Sequence, residues 1–453
     1  MMLKPSQRIA LYGLHRQLSY ADLLDEARRL YTEIKTRSPI KRPLILLQLD
    51  TSVNAVVAYV TCRIYQLPVI LLSPKQNPSL IIEKFGVNLQ IYATERELIV
   101  SSLSFVEYSI SSEVSVLLAT SGSTGMPKLV MLSEHNLDSN AKSICEYLSI
   151  NKDERALSSL PFYYSYGLSV LNSHLSMNAS IVLAPADVLS KQMWNQADKY
   201  SATSFAGVPF SYEILLKLRL ERVIPHSIHT LTQAGGRLAK EMILIIGNYA
   251  LQNNKKFYVM YGQTEASARM AYLPADEVMD NPSSIGMPIP EGQFCIKDDC
   301  GHEVYDDGIE GELCYQGPNI MIGYASKIED LCLISSEGIE ILHTGDLAYR
   351  VNDRYYITGR LKRIIKLRGT RYNLDELQEL TQQHLSTQWL FCSGEDDELY
   401  IIAPKGVLEC EVKEFILSQG IPPQLTKLIF LDEPLYNQNG KPDILRMMEQ
   451  ASG

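Results

Sequence analysis

Residues 120–128 have the sequence TSGSTGMPK, and this stretch decides how the rest of the chain is interpreted. It sets hydroxyl residues and glycines ahead of a terminal lysine. An apolar run, Val114 to Ala119, precedes it, and an amphipathic stretch follows from Ser133. A strand, a tight polar loop and then a helix form a layout that cradles a phosphate. Glycines let backbone N–H groups approach an anion, while hydroxyls and a lysine add donors and positive charge.

The stretch is not a Walker A loop. That motif requires Gly-Lys-Ser/Thr, whereas Met126 and Pro127 separate Gly125 from Lys128 in this chain. A generic loop of glycine and serine is more often a polar surface turn than a ligand site. The interpretation as a phosphate loop therefore needs support from the rest of the chain.

Length and composition indicate a globular protein of more than one domain. The chain has 453 residues, which predicts two or three domains. Its hydrophobic content of 46% and charged content of 21% are typical of soluble proteins. The formal net charge of −10 argues against nucleic acid as the main partner.

Cysteine spacing and hydropathy bear on the cellular compartment. The eight cysteines include no CxxC pair and no Cys/His set with zinc spacing, so we expect reduced thiols. The N-terminal sequence lacks the apolar core of a signal peptide. No apolar run reaches the roughly 18 residues that a membrane helix needs. We therefore expect a cytoplasmic protein without a membrane span.

Apolar periodicity predicts an α/β fold. Residues 18–35 have helical spacing with Ser19 as N-cap, and strands alternate with helices from there to about residue 260. Ser133 is expected to cap a helix that ends near Tyr147. Such alternation predicts helix-covered, mostly parallel sheets. From Ser284, period-2 stretches with glycine and proline indicate a smaller antiparallel β unit, and the remainder alternates short strands and helices.

Several downstream stretches combine residue types suited to binding, although each also has an ordinary structural explanation. PFYYSYG, residues 161–167, is either a core aromatic cluster or the wall of an acid pocket. The glycine pair 235–236 permits the close approach of a flat ligand, or it forms a simple turn. In YGQTEA, residues 261–266, Tyr261 offers an aromatic face, Thr264 a hydroxyl and Glu265 a carboxylate suited to Mg²⁺.

Three further stretches lie towards the C-terminus. HTGDLAYR, residues 343–350, contains Asp346, which is either an Asx turn or a ligand for paired hydroxyls. GRLKRIIKLRG, residues 359–369, has five Lys or Arg among eleven residues and suits a solvated strand edge or a nucleic-acid patch. NGKPD, residues 439–443, places a lysine on a turn, where it is usually only solvated.

Together these stretches carry a family resemblance. With its continuation LVMLSEHNL, residues 129–137, the first stretch resembles the phosphate-loop signature of the adenylate-forming superfamily, which includes acyl-CoA synthetases, adenylation domains of peptide synthetases and luciferases. The other motifs of that family follow in order and extend the resemblance over nearly the whole chain. They match residues 261–266, 343–350, 359–369 and 439–443.

The resemblance implies a site for ATP and Mg²⁺. The residues implied to bind ATP are Thr120, Ser121, Gly122, Ser123, Thr124, Gly125, Lys128, Gly235, Gly236, Tyr261, Asp346 and Arg360. Lys441, Thr264 and Glu265 are implied to be catalytic, with Glu265 also the metal ligand. Lys441 would bridge the acid and the nucleotide in the first half-reaction.

The resemblance also implies an acid pocket and a hinge. The pocket residues would be Tyr164, Gly167 and Gly262, although many acyl-CoA synthetases have His where this chain has Tyr164. Lys362 would be the hinge, and Gly369 would leave room for the pantetheine arm of a thiol. The implied architecture is a large nucleotide- and acid-binding domain of parallel sheets plus a β subdomain, residues 1–358, and a small mobile α+β lid domain, residues 359–453.

The implied reaction is ATP-dependent activation of a carboxylic acid as acyl-AMP, with release of pyrophosphate, followed by transfer to a thiol of coenzyme A or of a carrier protein. The chain ends soon after Lys441, so any carrier is expected to act in trans. One alternative is a free-standing adenylation enzyme for an amino acid or for transfer to an amine. Another is a non-catalytic nucleotide-binding scaffold.

The segment that lines the acid pocket also bears on the substrate. Adenylation domains of peptide synthetases use an Asp there to hold an α-amino group, but residues 161–169 include no acidic side chain. We therefore expect an acid without an α-amino group.

Overall fold

The computed structural model describes residues 3–119, 128–333, 338–368, 370–437 and 441–452. The chain divides into two compact units, which are residues 1–293 with 315–342 and residues 294–314 with 343–453. The domain boundary expected after residue 358 falls near the end of a strand inside the second unit. That residues 359–453 move as a separate lid domain stays a prediction.

Helices are distributed along the whole chain. The described helices are α1 (Tyr20–Arg37), α2 (Val53–Ile64), α3 (Ser79–Phe85), α4 (Glu134–Tyr147), α5 (Ser165–Ser176), α6 (Lys191–Lys199), α7 (Pro209–Leu218), α8 (Leu220–Val223), α9 (Lys240–Gln252), α10 (Glu329–Cys332), α11 (Leu374–His384), α12 (Glu409–Ser418) and α13 (Ile444–Ser452). Single 3-10 turns cover Thr264–Ala266, Leu361–Arg363 and Pro423–Leu425.

The strands are short and form several sheets. Those described are β1 (Ile9–Tyr12), β2 (Gln17–Ser19), β3 (Ile45–Leu49), β4 (Val69–Leu72), β5 (Leu89–Ala93), β6 (Leu98–Ser102), β7 (Val116–Ala119), β8 (Leu129–Leu132), β9 (Arg155–Leu157), β10 (Ser180–Val182), β11 (Ser204–Gly207), β12 (Thr230–Gln233), β13 (Lys256–Tyr261), β14 (Ala271–Leu273), β15 (Met287–Pro288), β16 (Gln293–Lys297), β17 (Glu303–Val304), β18 (Gly311–Gln316), β19 (Gly323–Ala325), β20 (Leu342–Val351), β21 (Arg354–Arg360), β22 (Ile364–Leu367), β23 (Thr370–Asn373), β24 (Phe391–Glu395), β25 (Glu398–Pro404) and β26 (Thr426–Leu431).

Two large sheets form the first unit. Within the described residues, one has nine strands in the order β15-β14-β13-β12-β11-β9-β10-β1-β2, and the other has seven in the order β19-β8-β7-β4-β3-β5-β6. The central pairs of both sheets are parallel, and antiparallel pairs lie at their edges. Helices α1, α2 and α5 pack on them through one apolar core. The predicted α/β class with mostly parallel, helix-covered sheets is confirmed.

The expected order of strand, polar loop and helix around residue 128 needs one correction. Leu129–Leu132 forms β8, which pairs antiparallel with β7 so that Ala119 lies opposite Leu129. All four residues of β8 are buried, because it lies between β7 and β19 in the seven-stranded sheet. Helix α4 begins only at Glu134. Residues 120–127 lie outside the described residues.

Both predicted N-caps are confirmed. The Ser19 hydroxyl accepts from the Asp22 backbone N–H at 3.1 Å. The Ser133 hydroxyl accepts from the Asn136 N–H at 3.0 Å, and the Asn136 side chain accepts from the Ser133 N–H at 2.9 Å. Such reciprocal caps stabilise a helix start by about 1 kcal/mol. They also fix where the chain turns from β8 into α4.

A buried ion-pair network, which we call the Arg63 clamp, holds the strands on either side of residues 120–127. The fully buried Arg63 of α2 binds both carboxylate oxygens of Glu134, at 2.6 and 2.8 Å, and Asp138 at 2.9 Å. Glu134 also accepts from the Ser115 hydroxyl at 2.5 Å. Because Ser115 precedes β7 and Glu134 follows β8, the clamp ties both outer ends of this strand pair to α2.

The electrostatics of Glu134 follow from these contacts. Burial alone would raise the pKa of this carboxyl group. The hydrogen bonds and the charge of Arg63 outweigh burial and lower the pKa to about 2. Glu134 therefore does more than favour the helix dipole, which is the effect expected from its place in the first turn of α4.

The second unit is smaller and contains α+β elements, as expected. Most residues of a five-stranded sheet belong to this unit. Its described strands have the order β17-β16-β18-β20-β21. Beyond it, β22 pairs antiparallel with β23, and β25 pairs antiparallel with β24 and parallel with β26. Helices α11 and α12 pack against these strands through a core that includes Leu377, Ile401 and Ile416.

None of the helices in the described part of the chain combines the length and the apolar content needed to cross a bilayer.

We expect Arg63→Met to lower the free energy of unfolding by about 3 kcal/mol, because it removes the buried cation from the largely buried carboxylate of Glu134, while the half-exposed Asp138 contributes less. Arg37→Met is the matched control, since Arg37 pairs with Glu33 on the exposed face of α1. That surface pair contributes at most about 0.5 kcal/mol. Thermal and urea unfolding of the two variants checks this, and equal small losses would show that the clamp is not structural.

Candidate active site

Lys128 and Glu265 meet the same tyrosine. The Lys128 ammonium lies 3.6 Å from the centre of the Tyr324 ring, and the Tyr324 hydroxyl donates to Glu265 Oε1 at 2.9 Å. Tyr324 reaches both because β19 pairs with β8, which places it opposite Val130. Burial, together with the Glu265 carboxylate, raises the pKa of Tyr324, so its hydroxyl stays protonated as a donor. A cation and a carboxylate from two separate motifs are thus held at one ring.

The segment 261–266 also meets the aromatic segment 161–167. Thr264 lies in a 3-10 turn, and its hydroxyl is hydrogen-bonded to that of Ser165 at 3.1 Å. Ser165 is the first residue of α5. The Glu265 carbonyl accepts from the Met321 N–H at 2.7 Å, which fixes the turn from the other side.

Two glycines predicted to line an acid pocket are required by the packing of the chain itself. A Cβ at Gly262 would lie 1.6 Å from the Ala268 carbonyl oxygen, and one at Gly167 would lie 2.2 Å from the Pro161 carbonyl oxygen. At each glycine the backbone lies against a carbonyl group that is six residues away in the sequence. They account for both glycines, and the pocket roles stay predictions.

Tyr164 connects the aromatic segment to the glycine pair after β12. A Cβ at Gly235 would lie 2.4 Å from the Tyr164 hydroxyl oxygen, and the φ of +85° at Gly235 favours glycine. At Gly236 a Cβ would lie 3.1 Å from Pro209. Tyr261 is the half-buried last residue of β13, which pairs with β12 in the same sheet. It lies two residues after Val259, which is paired with Gln233. The expected acid-binding and adenine-binding segments therefore adjoin within the first unit.

In the second unit, Asp346 and Arg360 form an ion pair of 2.9 Å. They lie directly opposite each other on β20 and β21. The Asp346 side chain is buried, whereas Arg360 is 59% exposed. Two of the residues predicted to bind ATP are therefore adjacent.

The predicted hinge lies in a 3-10 turn. Lys362 is exposed at the centre of this turn, directly after β21. The next residue, Arg363, binds Asp375 of α11 at 2.6 Å and the Cys392 carbonyl of β24 at 3.1 Å. The turn is thus anchored to α11 and β24 on its C-terminal side, and the hinge role stays a prediction.

The backbone of Lys441 is hydrogen-bonded to Asn437. The Asn437 N–H donates to the Lys441 carbonyl at 2.8 Å, and the Lys441 N–H donates to the Asn437 side chain at 3.1 Å. The remaining predicted site residues lie outside the described residues, namely Thr120, Ser121, Gly122, Ser123, Thr124, Gly125 and Gly369.

Comparison with known proteins finds similarity over much of the chain. The family described as "AMP-binding enzyme" matches residues 106–325. An oxalate–CoA ligase of Arabidopsis thaliana is 27% identical over 339 residues, which cover 70% of this chain and 63% of that protein. A long-chain-fatty-acid–CoA ligase of Salmonella typhimurium is 27% identical over 329 residues, which cover 70% of this chain and 54% of that protein. The chain thus spans less than two thirds of the length of either relative.

Solved structures resemble nearly the whole chain. One is the Bacillus subtilis o-succinylbenzoate CoA synthetase in complex with its acyl-adenylate intermediate, with a TM-score of 0.78, 21% identity, and coverage of 98% of this chain and 97% of that chain. The same enzyme with ATP and magnesium ion gives a TM-score of 0.79 at 22% identity and covers 99% and 97%. At 21–22% sequence identity, this structural similarity establishes the fold and nothing more.

Residues 106–325, a little under half of the chain, thus match the AMP-binding enzyme family. The resemblance drawn from the ordered motifs is therefore confirmed. The matched region includes both Lys128 and Glu265, which meet at Tyr324 in the first unit.

Three residues of the candidate site were not predicted from the sequence. Ser165 lies in the aromatic segment 161–167 and Tyr324 in the region predicted to be an antiparallel β unit, and only the fold shows their partners. Arg269 was overlooked, although a charged residue in the otherwise small and apolar stretch 266–273 is an unusual feature. Its side chain is buried, with the guanidinium carbon 4.2 Å from the centre of the Tyr166 ring.

We expect Gly262→Ala to lower the free energy of unfolding by about 1–3 kcal/mol, because the added methyl group must displace the backbone at Ala268. Gly323→Ala is the control. A Cβ there lies 3.6 Å from Met131, an ordinary contact, so this variant should be unchanged or slightly more stable. Thermal unfolding compares the two, and a fully stable Gly262→Ala protein would contradict the tight turn.

A pH dependence should arise from His174 of α5. Burial lowers the pKa of His174 to about 4, while its hydrogen bond to the Val170 carbonyl partly opposes the shift. Because the folded-state pKa lies below the ordinary value of about 6.5, the unfolded chain takes up the proton first. The stability that the neutral ring contributes is therefore present above about pH 6.5 and is lost as the pH falls towards 4.

His174→Gln removes this titration. We expect the stability of the wild type, relative to the variant, to fall by roughly 3 kcal/mol between pH 7 and pH 4. Urea unfolding at a series of pH values measures the difference, and a constant difference over this range would rule out a buried neutral histidine.

Proposed function

We propose that the protein activates a carboxylic acid with ATP and Mg²⁺, forming an acyl-adenylate and pyrophosphate, and then transfers the acyl group to the thiol of coenzyme A. The observation that carries the proposal is the tyrosine shared by Lys128 and Glu265. It places a cation suited to phosphate and a carboxylate suited to a divalent ion at the same ring. These are the charges that the magnesium complex of a nucleotide polyphosphate requires.

The residues fit the magnesium complex of ATP. Glu265 offers a hard oxygen ligand, and the bound ion would neutralise charge on the phosphate oxygens. Lys128 would act on the phosphates as a point charge, and Thr264 and Ser165 would offer hydroxyl donors. Since the chain carries a net charge of −10, the positive potential for ATP must come from such local groups.

The second unit is proposed to hold the ribose and to complete the first half-reaction. Asp346 would accept from the paired ribose hydroxyls, while Arg360 orients its carboxylate. Lys441 would bring its ammonium to the oxygens of the acid and of the α-phosphate as charge develops on them. Catalysis would then come mainly from positioning and charge stabilisation, as in other phosphoryl and nucleotidyl transfers.

The acid is proposed to lack an α-amino group. Residues 161–169 carry no acidic side chain that could pair with an ammonium group. Relatives act on acids as different as oxalate and long-chain fatty acids. The acid therefore has to be inferred from residues of this chain.

Acid-dependent exchange between ATP and labelled pyrophosphate tests the first half-reaction without an acceptor. The panel should contain short, long, aromatic, dicarboxylic and amino acids. Exchange with one class, followed by thioester formation on adding coenzyme A, would support the proposal. Preference for an amino acid over its desamino analogue would contradict the substrate class, and exchange with no acid would favour a nucleotide-binding scaffold.

We expect Lys441→Ala to lower the rate of acid-dependent exchange at least about 100-fold, because it removes a charge needed only in the adenylation transition state. Thioester formation from supplied acyl-adenylate should stay within about threefold of the wild type. The two half-reactions are measured separately with the same preparation.

Lys413→Ala is the matched control, since Lys413 pairs with Glu409 on the exposed face of α12. It should leave both half-reactions unchanged. An equal loss of both half-reactions in Lys441→Ala would assign that lysine a structural role instead.

A further inference from the structure

Two arginines of the first unit are buried, and their surroundings differ. Arg63 and Arg269 are 2% and 1% exposed. The guanidinium of Arg63 is bound by Glu134 and Asp138. Arg269 forms no ion pair with any described residue, and its Nε makes no hydrogen bond there. The same kind of buried charge is thus neutralised by the protein at one position and not at the other.

Several described side chains near Arg269 carry no compensating negative charge, namely those of Tyr147, Met260, Tyr164 and Tyr166. Its Nη1 donates weakly to the Tyr147 hydroxyl at 3.3 Å and contacts the Met260 sulfur. Burial raises the pKa values of Tyr147, Tyr164 and Tyr166 to about 12, against the effect of Arg269, so these phenols are neutral near pH 7.

His174 is a further titratable neighbour among the described residues, and it is neutral near pH 7 because burial lowers its pKa to about 4. The stacking of the guanidinium on Tyr166 offers partial compensation through the ring face. A buried charge that is paired only in this way is costly, and proteins generally provide it with a counter-ion.

The position of Arg269 is fixed by the residues around its backbone. Its carbonyl accepts from the side-chain amides of Asn140 and Asn319, both at 2.9 Å. The preceding residue, Ala268, packs against Gly262. Arg269 is therefore held at one end of the same turn that carries Thr264 and Glu265, and its side chain extends towards Tyr166 of the aromatic segment.

We propose that the acid activated by this protein carries a second carboxylate, and that Arg269 is the counter-ion of that group. A guanidinium binds a carboxylate through two parallel hydrogen bonds, and the Nε that has no partner among the described residues provides one of the two donors. The inference rests on the proposed acid activation and adds the substrate class to it, a dicarboxylic acid. The reacting carboxyl group would lie at the Thr264 end and the second one at the Arg269 end.

Pairs of acids that differ only in the second carboxylate test the proposal. Suitable pairs are glutarate with pentanoate, adipate with hexanoate, and homophthalate with phenylacetate. In acid-dependent exchange between ATP and pyrophosphate, we expect kcat/KM for at least one diacid to exceed that of its partner by about 100-fold or more. A site that buries an unpaired polar group rejects the analogue lacking its partner strongly.

Arg269→Met separates a binding role from a structural role. The variant should lose about 100-fold in kcat/KM with the diacid and gain activity with the matched monoacid. Its thermal midpoint should stay unchanged or rise, because an apolar residue of similar size replaces an unpaired charge. Arg269→Lys, which keeps the charge without the fork, should retain part of the preference for the diacid.

The outcomes distinguish this inference from the proposed function. Equal exchange with monoacids and diacids, unchanged in Arg269→Met, would overturn the role of Arg269 and leave acid activation intact. Destabilisation of Arg269→Met as large as that of Arg63→Met would also overturn it, since the arginine would then be structural. Exchange with no acid, while ATP still protects the protein from thermal unfolding, would overturn acid activation itself.

Discussion

The ion pairs between the guanidinium of Arg63 and two carboxylates of α4 are the contacts on which the site in the first unit depends. They attach the start of α4 to α2, and through the Ser115 hydroxyl they also hold the residue before β7. The strands on both sides of residues 120–127 are thus tied to one buried cation. Because Lys128 directly precedes β8, and Tyr324 is carried by the strand paired with β8, the position of this lysine relative to Glu265 follows from the same contacts. The phosphate end of the proposed site is thereby built on the core of the unit, which favours precise positioning.

Local sequence signals predicted the parts of the fold that local physics determines. Ser19 and Ser133 cap their helices as expected, since a hydroxyl before an amphipathic run satisfies a free backbone donor wherever the helix packs. Strand β8 was not predicted, because Leu129–Leu132 is a short apolar run whose state is decided by its neighbours β7 and β19. The clamp on Glu134 was missed for a related reason. Its partner Arg63 is 71 residues away, and only the sheet topology brings the two together.

The candidate site shows the same division. Motif residues such as Glu265, Asp346 and Lys441 could be predicted as candidates because their order along the chain resembles a known family, and the structure pairs Asp346 with Arg360. The residues Tyr324 and Arg269 could not be identified in this way, because their importance comes from what they contact. Two glycines show how far motif resemblance explains a residue. Gly262 and Gly167 both lie in motifs, but each position requires glycine because a side chain there would collide with a carbonyl oxygen of the chain itself.

The two buried arginines connect stability to specificity. Both take up similar space in the core and carry the same charge, so the cost of removing them from water is comparable. At Arg63 the protein supplies the carboxylates, and the result is a rigid attachment that no ligand needs to complete. At Arg269 the surrounding tyrosines are neutral and the ring face of Tyr166 offers only partial compensation, so a carboxylate arriving with the substrate gains the interaction that the protein withholds. An acid without that group would leave the guanidinium buried and unpaired, and the discrimination comes from this difference as much as from the contact itself.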